Sequence, residues 1–318
     1  HEQACGIAAE AYGRTGHPAN PGFGVALVTT GPGATNVITP VAGAWIDSIP
    51  MMVLSGQVKR ADRLAGRPLR QGGVQEVDII PMVSGITKYA TTIEDPQQVR
   101  VQLETALQKM RTGRPGPVWI EVPLDVQGAQ IDPNNLTGSM DVADVTPSPD
   151  PEQTQRVLEL LAAAERPLLL AGHGVRLSGA AEAFRRLVET WQVPVVSTWN
   201  ALDLFPHDHP LYVGSPGVVA LRAPNFAVQN CDLLISIGCR LDNIITAYNP
   251  GQFARAARKV VVDVDVAELN KPGMKIEEKI HGDATQVIQA WLTTPATFCA
   301  KRAHWLKRCS SCLLYTSD

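Results

Sequence analysis

The chain has 318 residues, 45% of them hydrophobic and 19% charged, enough to bury real cores and unlike the composition of a disordered segment. With 28 basic against 31 acidic residues its net charge is −3, which gives no footing for nucleic acid or an anionic membrane surface. No apolar run reaches the ~20 residues of a membrane span, and HEQACGIAAE lacks a signal-peptide layout; the expectation of a reduced, cytoplasmic protein comes from cysteines scattered through a long chain.

Residues 2–14 are Ala-rich and read as a helix ending near Gly16. GVALVTT (24–30) is short, apolar and β-branched, and reads as a buried strand. GPGATN follows as a turn, VITPVAGAWID continues as a helix, and MMVLSG (51–56) is a second buried strand. Residues 57–78 are Arg- and Gly-rich and read as a long functional loop. A helix over 96–110 precedes TGRPGPVWIEVP, a turn feeding a third strand. This alternation predicts an α/β fold with a parallel sheet covered on both faces.

Residues 126–151 are rich in Pro, Asp, Asn and Ser, lack periodicity and read as a linker, with 128–150 as its core. The alternation then restarts: helix 151–164, strand PLLLAG, helix 178–191, strand PVVSTW, a Pro/His-rich loop (205–217), a helix, strand DLLISIG and strand KVVVDVD. The expectation is two doubly wound parallel-sheet domains, at 1–127 and 151–297. After the helix through Trp291 the pattern stops, and the closing CLLYTSD resembles translated adapter read-through, so 298–318 is set aside. Cys5, Cys231, Cys239 and Cys299 read as small buried hydrophobes, and the lone pair Cys309 and Cys312 is a weak metal signal. No metal ligands are assigned.

Glu2 opens a helix, where an acidic side chain complements the dipole. G-P-G-A-T-N (31–36) sits between strand and helix, where backbone N–H groups converge; it is either an anion-binding turn or simply a tight one. It lacks the Gly-Lys-Ser/Thr ending of an ATPase loop. Gly172 and Gly174 match two glycines of the dinucleotide fingerprint, while position 177 is Leu. G-C-R-L-D (238–242) and D-V-D (263–265) also fall at carboxyl ends of predicted strands, the edge where open α/β sheets bind ligands.

HEQ, TTGPGATN, AWIDSIPMMVLSGQV, VQEVD, ITKYA, TGRPGPVWIEVPLDVQ and VVVDVDVAELNK, in this order, resemble the pyrimidine-binding and central domains of thiamine-diphosphate enzymes of the acetolactate synthase group. The resemblance implies a carboligase or lyase acting on 2-keto acids, assembled as a homodimer or tetramer. It gives Glu2 the role of the glutamate that hydrogen-bonds the aminopyrimidine ring. A proton on that ring nitrogen favours the imino tautomer, so the cofactor's own exocyclic nitrogen deprotonates thiazolium C2. A partly desolvated carboxyl suits the task, because burial favours the protonated form.

By the same resemblance, Pro32, Asn36 and Ser48 surround the pyrimidine, and Gln75 reaches the substrate side. Arg114, Gly172, Gly174, Gly238, Arg240, Asp242, Asp263 and Asp283 match positions that hold FAD. Asp263 either accepts from ribose or adenine groups or caps the turn before AELNK. Mg²⁺ and the diphosphate are expected on a third domain whose motif is not found in these residues, so the 318 residues alone are expected to be inactive. Three departures stand out: Asp242-Asn243-Ile244 replaces Asp-Asp-Arg, Val74 replaces Phe, and Leu124 replaces Lys. Loss of the arginine removes a partner for a substrate carboxylate and points towards another 2-keto acid or acceptor. Oxidase, decarboxylase or acyltransferase chemistry, or a non-catalytic nucleotide-binding module, are the alternatives.

Overall fold

The computed structural model describes residues 1–15, 22–64, 66–139, 146–294 and 302–314. The chain divides into two compact units, His1–Asp144 and Val145–Asp318. The division falls inside the stretch read as a linker.

In the first unit, β1 (Gly24–Val28), β2 (Met51–Gln57), β3 (Tyr89–Thr92) and β4 (Val118–Pro123) form a wholly parallel sheet in the order β1-β2-β4-β3. Helix Glu2–Thr15 turns its small residues Gly6, Ala9 and Gly13 inward, which lets it lie close on β1. Helix Val99–Arg111 buries Ala106 and Met110 against Met52, Val118 and Ile120. Sequence reading missed β3, because YATT is short, half-buried along its length and lacks an apolar run. The reading of β1 as fully buried is corrected. Val25 and Leu27 are 47% and 75% exposed. β1 is an edge strand, and its residues alternate, so helix packing on one face leaves the other uncovered among the described residues.

In the second unit, β5 (Pro167–Ala171), β6 (Val195–Ser197), β7 (Tyr212–Gly214), β8 (Leu233–Ile237), β9 (Arg258–Asp263) and β10 (Glu278–His281) form a parallel sheet ordered β10-β9-β8-β5-β6-β7. Alternation divides the strand side chains between two cores. Leu169, Ile235 and Val260 pack with Phe184, Leu187, Trp191, Ile288 and Trp291. Leu168, Leu170, Leu234 and Val261 pack with Ala223, Ala227 and Val228 from helix Arg222–Asn230. The two edge strands β7 and β10 were not foreseen, since each has only three or four residues and β10 reads Glu-Lys-Ile-His.

Part of the segment set aside is folded. Trp305 and Cys309 of helix Ala303–Leu314 join the second core, and the Trp305 indole donates to the Pro167 carbonyl at 2.9 Å. The Arg302 guanidinium donates to the Leu161 carbonyl. An apolar face at helical spacing, hidden in a basic stretch, explains why alternation was not seen there. Cys299 and residues 315–318 lie outside the described residues. Cys231 and Cys239 are buried as expected, and burial pushes both thiols up to about 12, whereas Cys5 is exposed. Among the described residues no helix is long and apolar enough to cross a membrane.

Candidate functional site

The carboxyl edge of the first sheet gathers Glu2, Pro32, Asn36 and Gln75, whereas Ser48 and Arg114 precede β2 and β4 at the opposite edge. Glu2 stands in the first turn of its helix, and the Asn36 amide donates to Glu2 Oε2 at 3.1 Å. Gly31 takes φ +58, a conformation that favours glycine, and a Cβ there would stand 2.0 Å from the Gln75 carbonyl oxygen. A Cβ on Gly33 would stand 3.5 Å from Glu2 Oε1. So the GPGATN turn brings Glu2, Asn36 and the Gln75 backbone to one place. Pro32 is exposed at the start of a single helical turn, and Gln75 is exposed with φ +61.

Part of the turn's backbone is satisfied within the turn itself. The amides of Gly33, Thr35 and Asn36 already donate to the carbonyls of Thr30, Gly31 and Pro32. Glu2, whose carboxyl the resemblance implies is partly desolvated, is half-buried. Its own backbone N–H, and then the Asn36 amide, hold the carboxyl below the usual carboxylate range, because both favour the charged form.

Beneath the turn lies a network that sequence reading missed. Gln57, the last residue of β2, donates from Nε2 to the Val77 carbonyl and to Glu121 Oε1, both at 2.9 Å. Its Oε1 accepts from Thr30 Oγ1 at 3.1 Å and from Val58 N–H at 2.9 Å. Thr92 Oγ1 donates to Glu121 Oε2 at 2.7 Å. Glu121 on β4 is 1% exposed, and burial pushes its carboxyl up. The available signal was a single carboxylate inside the apolar run VWIEVP, which is costly unless partnered.

Ser48 and Arg114 also meet, with Arg114 Nε donating to Ser48 Oγ at 2.8 Å. Both lie in the first unit, although Arg114 was read with the flavin positions of the second.

At the carboxyl edge of the second sheet the glycines are explained by packing. A Cβ on Gly172 would stand 2.0 Å from the Gly238 carbonyl oxygen, and Gly174 N–H donates to that same oxygen at 3.0 Å. The carboxylates are largely occupied by the backbone. Asp242 accepts from Ile244 and Ile245 N–H and faces Arg240 at 3.7 Å. Asp263, 8% exposed, accepts from Asp265 N–H, and the cap before AELNK is Asp265. Asp283 caps helix Ala284–Thr293. Among the described residues no group of three or more His, Cys, Asp or Glu could hold a metal.

Comparison with known proteins identifies the family. The family profile "Thiamine pyrophosphate enzyme, N-terminal TPP binding domain" matches residues 1–82, and "Thiamine pyrophosphate enzyme, central domain" matches residues 154–291. The "Probable acetolactate synthase large subunit" of Methanocaldococcus jannaschii is 37% identical over 313 residues, covering 97% of this chain and 51% of that protein. The acetolactate synthase large subunit of Corynebacterium glutamicum is 36% identical over 300 residues, 92% of this chain and 45% of that protein. The acetolactate synthase isozyme 2 large subunit of Escherichia coli is 34% identical over 271 residues, 85% of this chain and 47% of that protein. The chain thus spans about half the length of the curated relatives it matches. It belongs to the thiamine pyrophosphate enzymes, carrying their N-terminal TPP-binding and central domains in an acetolactate-synthase-like form.

Proposed function

We propose that the whole protein is a thiamine-diphosphate carboligase acting on 2-keto acids, and that Glu2 is its proton-holding carboxyl. The observation that carries this is the convergence of Glu2, Asn36 and the Gly31–Gly33 turn. The residues fit an aminopyrimidine: the Glu2 carboxyl, oriented by Asn36, stands beside Gly33, which carries no side chain. When bound, the cofactor supplies a thiazolium carbon whose proton its own amino nitrogen can accept. Glu2 would hold a proton at the ring nitrogen, and Asn36 would keep the carboxyl turned towards it. Excluding water from Glu2 when the cofactor binds would favour the protonated form.

A second subunit is part of this reading. Ile7 and Tyr12 on the first helix, and Trp45 and Ile46 on helix Ile38–Asp47, are large apolar side chains left exposed in the first unit. A homodimer or tetramer that covered them would also shield Glu2. Mg²⁺ and the diphosphate are assigned to residues outside these 318, since the relatives are about twice as long. FAD is assigned a structural place at the strand ends of the second sheet, supported by the turns at 172–174, 238–242 and 263–265 meeting one edge.

Glu2→Gln keeps the size of the side chain and removes the transferable proton. Exchange of the C2 proton for deuterium in the cofactor-loaded protein should slow by about 10²-fold or more. Exchange at the unmodified rate would remove Glu2 from this role.

A further inference from the structure

Gln75 sits in a left-handed conformation, φ +61, on an exposed loop, and its backbone is fixed from both sides. On one side the Val77 carbonyl accepts from buried Gln57. On the other, Glu76 folds its carboxylate back into the loop. Oε1 accepts from Leu64 N–H, and Oε2 accepts from Gly72 N–H at 2.8 Å and Gly73 N–H at 3.0 Å. Neither glycine has room for a side chain, since a Cβ would stand 2.6 Å from the Asp62 carbonyl or 2.8 Å from the Val58 side chain. The carboxylate thus closes a tightly packed ring of backbone directly beside Gln75. Burial alone would raise the Glu76 carboxyl, but the three N–H donors and the charge of Arg63 bring it below the usual range.

We propose that Glu76 is a positioning residue: its carboxylate ties residues 64 and 72–73 together and thereby presents Gln75, backed against Gly31, to the substrate. The last clause rests on the reading of Gln75 as substrate-facing; the tie itself does not.

The test compares the complete protein with its Glu76→Gln, Gln75→Ala and doubly substituted forms. Glutamine is isosteric, but its NH₂ must face one of the three N–H donors whichever way the amide turns. A residue acting through bulk tolerates it, and one acting through two acceptor oxygens does not. Trypsin reads the loop without any need for activity, because Arg63 and Arg70 lie in it, whereas Arg67 is followed by Pro68. Cleavage after Arg63 and Arg70 should accelerate about tenfold or more in Glu76→Gln with circular dichroism unchanged. Glu76→Asp, which keeps both acceptor oxygens, should recover part of the protection, and this guards against a misfolded glutamine form. Cleavage of Glu76→Gln at the unmodified rate overturns the proposal.

Kinetics with pyruvate supply the second arm. Glu76→Gln should shift the same parameter, KM or kcat, as Gln75→Ala, and the double substitution should be no worse than Gln75→Ala alone. Additive losses overturn the action through Gln75. Unchanged kinetics in Gln75→Ala would overturn the substrate-facing reading, and the tryptic result then decides the tie separately.

Discussion

At the carboxyl edge of the first sheet the strand ends are joined by side chains: Thr30 just beyond β1, Gln57 on β2, Thr92 on β3 and Glu121 on β4. At the same edge of the second sheet they are joined by backbone, with Gly172, Gly174 and Gly238 in direct contact and aspartates turned onto nearby N–H groups. Side-chain junctions have titratable members and isosteric substitutes. Close glycine contacts have neither, so the two edges should fail differently.

The largest effect is expected at the backbone junction. Gly172→Ala places a Cβ 2.0 Å from a carbonyl that cannot rotate away. The second unit should lose about 3 kcal/mol or more, read as a lower unfolding midpoint of amide exchange in β5 and β8. Gly179, with φ +78 and open space around its Cα, is the internal control, and Gly179→Ala should cost only about 1–2 kcal/mol. Equal losses would mean that close packing at Gly172 costs no more than left-handed strain at Gly179.

Much of this contrast was legible in the sequence, for reasons that differ by residue. The strands β2, β4, β5, β8 and β9 announce themselves as apolar runs, and Glu2 with GPGATN stands out from the residues alone. Gly172, Gly174 and Gly238 were also picked out, but a glycine pattern cannot distinguish room for a ligand from room for another glycine. The pairing of Gln57 with Glu121 is not legible in the sequence, because 64 residues separate partners that meet only once β2 and β4 pair. Glu76 was passed over for its neighbour Gln75, since a carboxylate that accepts from three backbone amides looks, in sequence, like any loop glutamate.

A second way to sharpen the comparison is pH. Burial raises the Glu121 carboxyl in the folded chain, so the unfolded chain ionises first as pH rises. Stability of the first unit from this group is greatest below the unfolded value and declines as pH climbs to the folded value. Arg63 opposes that shift, and the charge of Asp78 adds to it. In Glu121→Gln the Gln57 and Thr92 partners can both be kept while the titration is lost. The stability of the natural chain relative to Glu121→Gln should therefore fall from acid to neutral pH, measured by denaturant unfolding of β2 and β4 amides. A difference that rises with pH, or stays flat, would show that Glu121 does not titrate as a buried acid. Glu76 has the opposite sign: its contribution is present above the unfolded value and disappears as pH falls through the folded one.

The smallest effect concerns the flavin place. Asp263→Ala removes an acceptor for Asp265 N–H and should cost about 1 kcal/mol in stability. If FAD occupies that edge, the purified complete protein absorbs as a flavoprotein and the substitution weakens retention. Colourless protein that fails to take up added FAD would leave the aspartates with the turn-making duties described above.

The strand order of the first sheet also bears on how the chain is made. β2 takes its second neighbour from β4, and β3 pairs only with β4. Roughly 60 residues separate the end of β2 from the start of β4, so at about 5–20 residues per second a nascent chain would carry an unpaired, apolar strand edge for roughly 3–12 s. Met51, Met52 and Val53 lie on that edge. Ribosome-bound chains arrested between residues 58 and 117 should be the ones that chaperones hold longest.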